Sequence, residues 1–285
     1  MRTAIVTDSN SGIFEAEGSK LGVFTLPMPV IIDDREYFEG VDLFHDDFYQ
    51  SLLEHKRVST SQPTPGNVLA LWDNVLGKGF DELVYIPMSS GLSNSCQTAL
   101  MLAEDYNGKV QVVDNHRISV TQRSSVMDAL TLAQAGCTAA EIKVKLERTA
   151  YDSLIYVGVE TLEFLKRGGR VTAAGAAMST VLNLKPLLTI QGERLDAYAK
   201  IRGTKNCKKR EIEAMQKYAD EFHQKGQSIR IGVAGSFLHE EDREWLEMVK
   251  AAFPGEEVYY DRLTFSIGCH VGPGAFGMGI SAKLL

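Results

Sequence analysis

Short apolar runs alternate along this chain with longer segments whose apolar residues recur at three- and four-residue spacing, the rhythm of buried strands and packed helices. The runs at residues 3–7, 22–26, 83–86, 109–114 and 154–159 read as strands. The spacing predicts helices near 46–55, 67–76, 96–104, 119–135 and 138–150. Strand and helix in alternation, with polar residues at the strand ends, imply a mostly parallel sheet with helices on both faces. A ligand of such a sheet lies beyond the carboxyl ends of its strands, which brings Asp8, Ser93 and Asp114 to one edge.

The pattern changes after residue 160. Residues 171–182 are almost wholly small and apolar, so the predicted helix there is enclosed. It either packs tightly in a core or leaves room for another apolar body. Residues 186–196 read as two strands joined near Gln191-Gly192. Helices follow at 211–224 and 240–252, and strands at 229–234 and 257–261. At 285 residues the chain is expected to form two α/β domains, residues 1–160 with the parallel sheet and 161–285 as a smaller α/β unit.

Three polar stretches interrupt this scaffold. Ile86-Pro-Met-Ser-Ser-Gly-Leu-Ser-Asn-Ser95 joins a buried strand to a helix, leaving unpaired backbone N–H groups and the positive end of the helix dipole at the strand edge. Gly91 lets this loop turn, and Ser93 or Asn94 can cap the helix. The loop lacks the glycine and lysine pattern of a Walker phosphate loop and the Gly-x-Ser-x-Gly of a nucleophile elbow. Its serines read either as turn and cap residues or as a hydroxyl cradle for a carboxylate or phosphate. In Ser59-Thr-Ser-Gln-Pro-Thr-Pro-Gly66 the two prolines hold Thr60 and Ser61 on a stiff, extended loop. Residues 266–280 carry five glycines, at 268, 272, 274, 277 and 279, a density that suits backbone brought against a ligand or another loop. His270, the strong polar side chain of that run, reads as a structural hydrogen bonder or as a functional group.

Composition narrows the function. The formal net charge of −7 removes any overall basic field for nucleic acid. The basic segment 199–210 has no interleaved aromatics, so it reads as a solvated face or a surface for an acidic protein or phosphorylated group. No run reaches the roughly 18 to 20 apolar residues of a membrane span, and residues 1–8 do not read as a signal peptide. Cys96, Cys137, Cys207 and Cys269 are far apart, as expected of reduced thiols in a cytoplasmic protein. Neither Cys96 nor Cys269 has the motif of a reactive thiol, and Asp8, Asp33, Asp34, Asp46 and Asp47 lack the context of a metal site. No residue set makes a convincing catalytic centre.

Taken together, Thr7-Asp8-Ser9, Thr60-Ser61-Gln62-Pro63, Ser89-Ser90-Gly91-Leu92-Ser93, Val113-Asp114, Leu165-Lys166-Arg167-Gly168-Gly169-Arg170, Lys185-Pro186 and the run from Gly268 to Ala275 resemble the DegV family of fatty-acid-binding proteins. They stand in the family's order across almost the whole chain, with Cys269 where the family often has Thr. The resemblance implies a long-chain fatty acid such as palmitate, buried in two α/β domains with its carboxylate on hydroxyls. It implies Thr60 and Ser93 as principal contacts, Ser61 as neighbour and His270 close to the head group. It also implies a carrier without catalysis or cofactor that presents the acid to a fatty-acid kinase, with Arg170 near the mouth helping to dock that partner. The alternative is an enzyme acting on a phosphorylated small molecule at the same strand edge, and a nucleic-acid-binding protein ranks below both.

Overall fold

A computed structural model describes residues 2–178, 184–236 and 241–284. The chain opens with β1 (Thr3–Asp8), α1 (Glu15–Leu21) and β2 (Val23–Leu26), followed by β3 (Pro29–Ile32) and β4 (Arg35–Phe38). Next come α2 (His45–Leu53), β5 (Val58–Thr60), α3 (Pro65–Gly77), β6 (Glu82–Ile86), α4 (Ser95–Ala103) and β7 (Val110–Val112). Two helices, α5 (Ser119–Gln134) and α6 (Ala139–Arg148), precede β8 (Ser153–Gly158), α7 (Glu163–Gly168) and α8 (Ala173–Ala177). The remainder runs β9 (Leu184–Ile190), β10 (Asp196–Arg202), α9 (Thr204–Gln224), β11 (Ile229–Gly235), α10 (Glu241–Ala252), β12 (Glu257–Arg262), α11 (Phe265–Val271) and β13 (Phe276–Ala282).

Strands β2-β1-β6-β7 form a sheet in which every pairing is parallel, as the alternating pattern predicts. β6 is buried along its whole length and sits beside β1 at the sheet centre. A second sheet has the order β10-β9-β8-β13-β11-β12, and only β11 and β12 run parallel in it. The strand expected at 154–159 forms as β8, but it pairs with β9 and β13, so this sheet begins ahead of residue 160. A short apolar run buried on both faces has the same signature in a parallel and an antiparallel sheet, which is why the residues alone did not separate the two.

A third sheet, β4-β3-β5, packs at the side and was not anticipated. Asp33 and Asp34 make the two-residue turn between β3 and β4, with φ of 47° and 67°, as a type I′ hairpin requires. The Asp33 carboxylate accepts from the Arg57 backbone N–H at 3.0 Å, which assigns it to the turn. The predicted helix over 171–182 is shorter in the described residues: α8 begins at Ala173, capped by the Thr172 hydroxyl, and Met178 is already extended. Residues 179–182 of that expectation lie outside the described residues. Strands β9 and β10 are joined by residues 191–195, a longer turn than the expected two-residue form. The glycine-rich run divides into helix α11 and strand β13.

Helix α5 holds the two large sheets together. It packs on β1 and β6 of the first and on β8, β11 and β13 of the second. Glycines make this approach possible, because a Cβ at Gly232 would lie 2.3 Å from the Val120 Cβ and one at Gly279 would lie 2.7 Å from the Val120 Cγ2. The apolar cluster under α5, which includes Met28, Met88, Val120, Val157, Ile190 and Leu263, draws on both sheets. The cavity described next opens within it.

Candidate functional site

A cavity of about 220 Å³ lies where the carboxyl ends of the parallel strands meet the second sheet. Its interior is apolar: Met28, Met88, Ile118, Val120, Ile155, Val157, Ile190, Leu263 and Met278 all contribute. Among its lining residues Thr60, Ser61, Gln62, Ser93, Asn94, Arg170 and His270 supply polar groups. All five residues anticipated from the sequence, Thr60, Ser61, Ser93, Arg170 and His270, therefore line one cavity although 210 positions separate Thr60 from His270. Ser61 and Asn94 are exposed, so the polar region reaches the protein surface.

Each polar group is placed by local structure. Thr60 ends β5, and the following extended segment runs through Pro63 to the Thr64 cap of α3, whose hydroxyl accepts from the Asn67 N–H at 3.2 Å. Ser93 precedes α4, and its hydroxyl accepts from the Ser95 N–H at 3.2 Å, leaving its own O–H to donate elsewhere. Gln62 is tied back to α4, accepting from the Thr98 hydroxyl at 3.2 Å. The Arg170 guanidinium donates to the backbone carbonyls of Leu92 at 3.2 Å and Gly168 at 2.5 Å. These bonds fix the arginine against the loop that carries Ser93.

His270 is the centre of the polar end. Its Nε2 lies 3.2 Å from the Thr60 hydroxyl, whereas its Nδ1 is buried without a partner. A hydrogen on Nδ1 would be an orphaned buried donor, a costlier arrangement than an unused lone pair, so the favoured tautomer carries its hydrogen on Nε2. Nε2–H then donates to Thr60 Oγ1 and leaves the threonine O–H free to donate to an anion. Burial, with Arg170 and Arg167 nearby, pushes the His270 pKa down to about 4, so the ring is neutral at physiological pH. Gly168 makes the position possible: a Cβ there would lie 2.0 Å from His270 Nδ1.

The arrangement is a clasp of neutral hydroxyl and imidazole donors with one fixed positive charge, Arg170, in its wall. The sequence reading put Arg170 near the mouth for a partner, and the structure adds that it lines the ligand space itself. Not every serine of the central loop serves the cavity. Ser89 donates to the Gly192 carbonyl in the β9–β10 turn, and Gly91 is where that turn presses closest, since a Cβ there would meet the Gly192 oxygen at 2.7 Å. Asp8 is fully buried at the end of β1 and accepts from the Met88 N–H at 2.8 Å, the Asn10 N–H at 3.0 Å and Gln122 Nε2 at 3.0 Å. It sets the path of the loop without lining the cavity. Burial raises its pKa. Ser119 and Ser266 also line the cavity and were missed. A signal for Ser266 was present, because it stands four residues before His270 and shares its face once 265–271 is known to be helical.

No helix among the described residues is long and apolar enough to cross a membrane, and among them no group of three or more His, Cys, Asp or Glu could hold a metal ion. Burial raises the thiol of Cys269 to about 11, and its Sγ faces the Val58 carbonyl at 3.5 Å. It is therefore a packed thiol behind the site.

The chain resembles known proteins along its whole length. A family model described as an uncharacterised protein of the DegV family matches residues 2–283. A DegV domain-containing protein of Deinococcus radiodurans is 30% identical over 98% of this chain and 98% of its own. Among solved structures, a DegV family protein of Thermus thermophilus described by its fatty-acid binding is 30% identical, with a TM-score of 0.89 over 99% of this chain and 100% of that one. DegV of Bacillus subtilis, described as a fatty acid binding protein, is 28% identical, with a TM-score of 0.85 over 99% and 100%.

Proposed function

This chain belongs to the DegV family, and on that premise we propose that it binds a long-chain fatty acid, palmitate or one of similar length. The acyl chain occupies the apolar cavity, and the carboxylate rests on the hydroxyls of Thr60 and Ser93, with Ser61 and His270 beside it. The observation that carries this reading is the convergence of these groups on the polar end of a cavity otherwise walled by methionine and branched aliphatic side chains. The fatty-acid binding of the two solved relatives supports it.

The energetics of such a complex divide between its ends. About 14 methylenes buried at ~0.8 kcal/mol each give a gross ~11 kcal/mol before ordering costs, so the tail supplies the affinity. Hydroxyls, a neutral imidazole N–H and the dipole of α4 orient the carboxylate without closing it in a tight ion pair. One oxygen then stays able to accept a phosphoryl group. We propose that a fatty-acid kinase takes the acid from this site to make acyl phosphate for phospholipid synthesis. Arg170 contributes to that docking, and the exposed Ser61 and Asn94 mark the face that the kinase meets. In this role the protein is a carrier and leaves the chemistry to its partner.

Mass spectrometry of organic extracts from the purified protein is expected to show a co-purified fatty acid. A protein that is empty and also fails to bind added palmitate would refute the reading. Replacing both Thr60 and Ser93 by Ala is expected to reduce turnover in a reconstituted kinase assay at least tenfold, with palmitate affinity falling by less than threefold. Undiminished turnover would reject the roles given to the two hydroxyls.

A further inference from the structure

The apolar part of the cavity contains an internal polar point that the carboxylate clasp does not use. Ser266 lines the cavity from the first turn of α11 and is 6% exposed. Its O–H donates to the amide oxygen of Asn10, a side chain with no exposure at all, and Thr264 Oγ1 approaches the same oxygen at 3.5 Å. The Asn10 amide is fixed from its other side, where Nδ2 points at the Met88 thioether at 3.2 Å. Ser266 thus has its hydrogen committed to a buried, immobile acceptor while its oxygen keeps lone pairs at the cavity wall.

The position of this oxygen relative to the clasp is set by the helix. Ser266 and His270 are four residues apart on α11, and both line the cavity. One helical turn, about 5.4 Å, corresponds to about four carbon–carbon bonds of an extended acyl chain. With the carboxylate at Thr60 and His270, this rise sets the Ser266 oxygen beside the first four or five carbons of the chain.

Building on the fatty-acid reading above, we propose that the cavity accepts fatty acids that bear a hydroxyl near the carboxyl end, of the 3-hydroxy class, with that hydroxyl donating to Ser266 Oγ. A plain chain leaves the Ser266 oxygen with an apolar neighbour, which is tolerable because its hydrogen is already bonded to Asn10. A hydroxyl at the far end of the chain would instead lie beyond reach of Ser266, in the part of the cavity walled mainly by aliphatic and methionine side chains, which is unfavourable.

The test compares three acids of equal length, palmitate, 3-hydroxypalmitate and 16-hydroxypalmitate, by displacement of a fluorescent fatty acid from delipidated full-length protein. The expected result is 3-hydroxypalmitate binding within threefold of palmitate or tighter, and 16-hydroxypalmitate at least tenfold weaker. Ser266→Ala is expected to weaken 3-hydroxypalmitate about fivefold to tenfold more than it weakens palmitate, so that the ratio of the two affinities is the readout. The inference is overturned if the wild-type protein binds 3-hydroxypalmitate tenfold or more weakly than palmitate, or if Ser266→Ala leaves the ratio of the two unchanged. Should that variant fail to fold, the wild-type ranking of the two hydroxy acids decides, and equal weakness of both overturns the inference. Binding of palmitate alone defeats only this inference, whereas binding of none of the three defeats the fatty-acid reading and this one together.

Discussion

His270 shows how one residue acquires a role from its surroundings. Exposed, the ring would titrate near neutrality; half-buried between α7 and β5 beside two arginines, it stays neutral down to about pH 4. NMR of the ligand-free protein is expected to place its midpoint near 4, and binding of palmitate should move it upward, because a carboxylate nearby favours the charged ring. A midpoint that does not move on binding would separate His270 from the head group. Gly168 guards the same geometry. Gly168→Ala puts a methyl within 2.0 Å of the ring nitrogen, so the ring must leave Thr60, and kinase-dependent turnover is expected to fall at least tenfold in the same assay used for the hydroxyl variants. Unchanged turnover would mean that the ring's position is immaterial.

Among the elements, those with one repeating period were legible and those with two were not. The parallel strands and α3, α5 and α6 were legible from apolar runs and three- and four-residue spacing, while Pro65 at the start of α3 and the Thr138–Glu141 capping box of α6 went unread. The β3–β4 hairpin did not, because Asp33-Asp34 is a turn made by two carboxylates where glycine is the usual signal. Residues 266–280 were read as a single glycine-rich stretch, though Gly268 lies in α11 against the Tyr49 hydroxyl while Gly277 and Gly279 lie in β13 beneath neighbouring chain. The site residues could be named from motifs, but their shared wall depends on contacts between distant segments that no local period encodes. The glycines under α5 give an element-scale test. Gly232→Ala drives a methyl to 2.3 Å from the Val120 Cβ, an overpacked contact expected to destabilise by ~1–3 kcal/mol in chemical denaturation. A change under ~0.5 kcal/mol would show that α5 is not tightly seated there.

At the level of the whole molecule, the two large sheets meet through charge as well as through packing. Arg123 on α5 binds Glu17 on α1 and lies 3.5 Å from Asp261 on β12, so one guanidinium ties a helix beside the first sheet to an edge strand of the second. Burial outweighs that attraction and lifts the Asp261 pKa from 3.8 to about 7. The folded state therefore holds a proton that the unfolded chain has lost, and stability declines as pH rises from about 4 to about 7. Asp261→Asn removes this dependence while Glu17 still holds Arg123. The melting temperature of the variant relative to wild type is expected to rise by several degrees between pH 5 and pH 8, and a constant difference would place the titration elsewhere.

The cavity borrows its walls from both sheets, with Met28 and Met88 from one side and Ile155, Ile190 and Met278 from the other. A fatty acid lodged there would complete a core that neither half completes alone, so cargo and scaffold would melt as a single body. In the carrier role proposed above, unloading would loosen the protein that lets go, and a receiving protein would have to hold the acid more firmly than the seam it leaves behind.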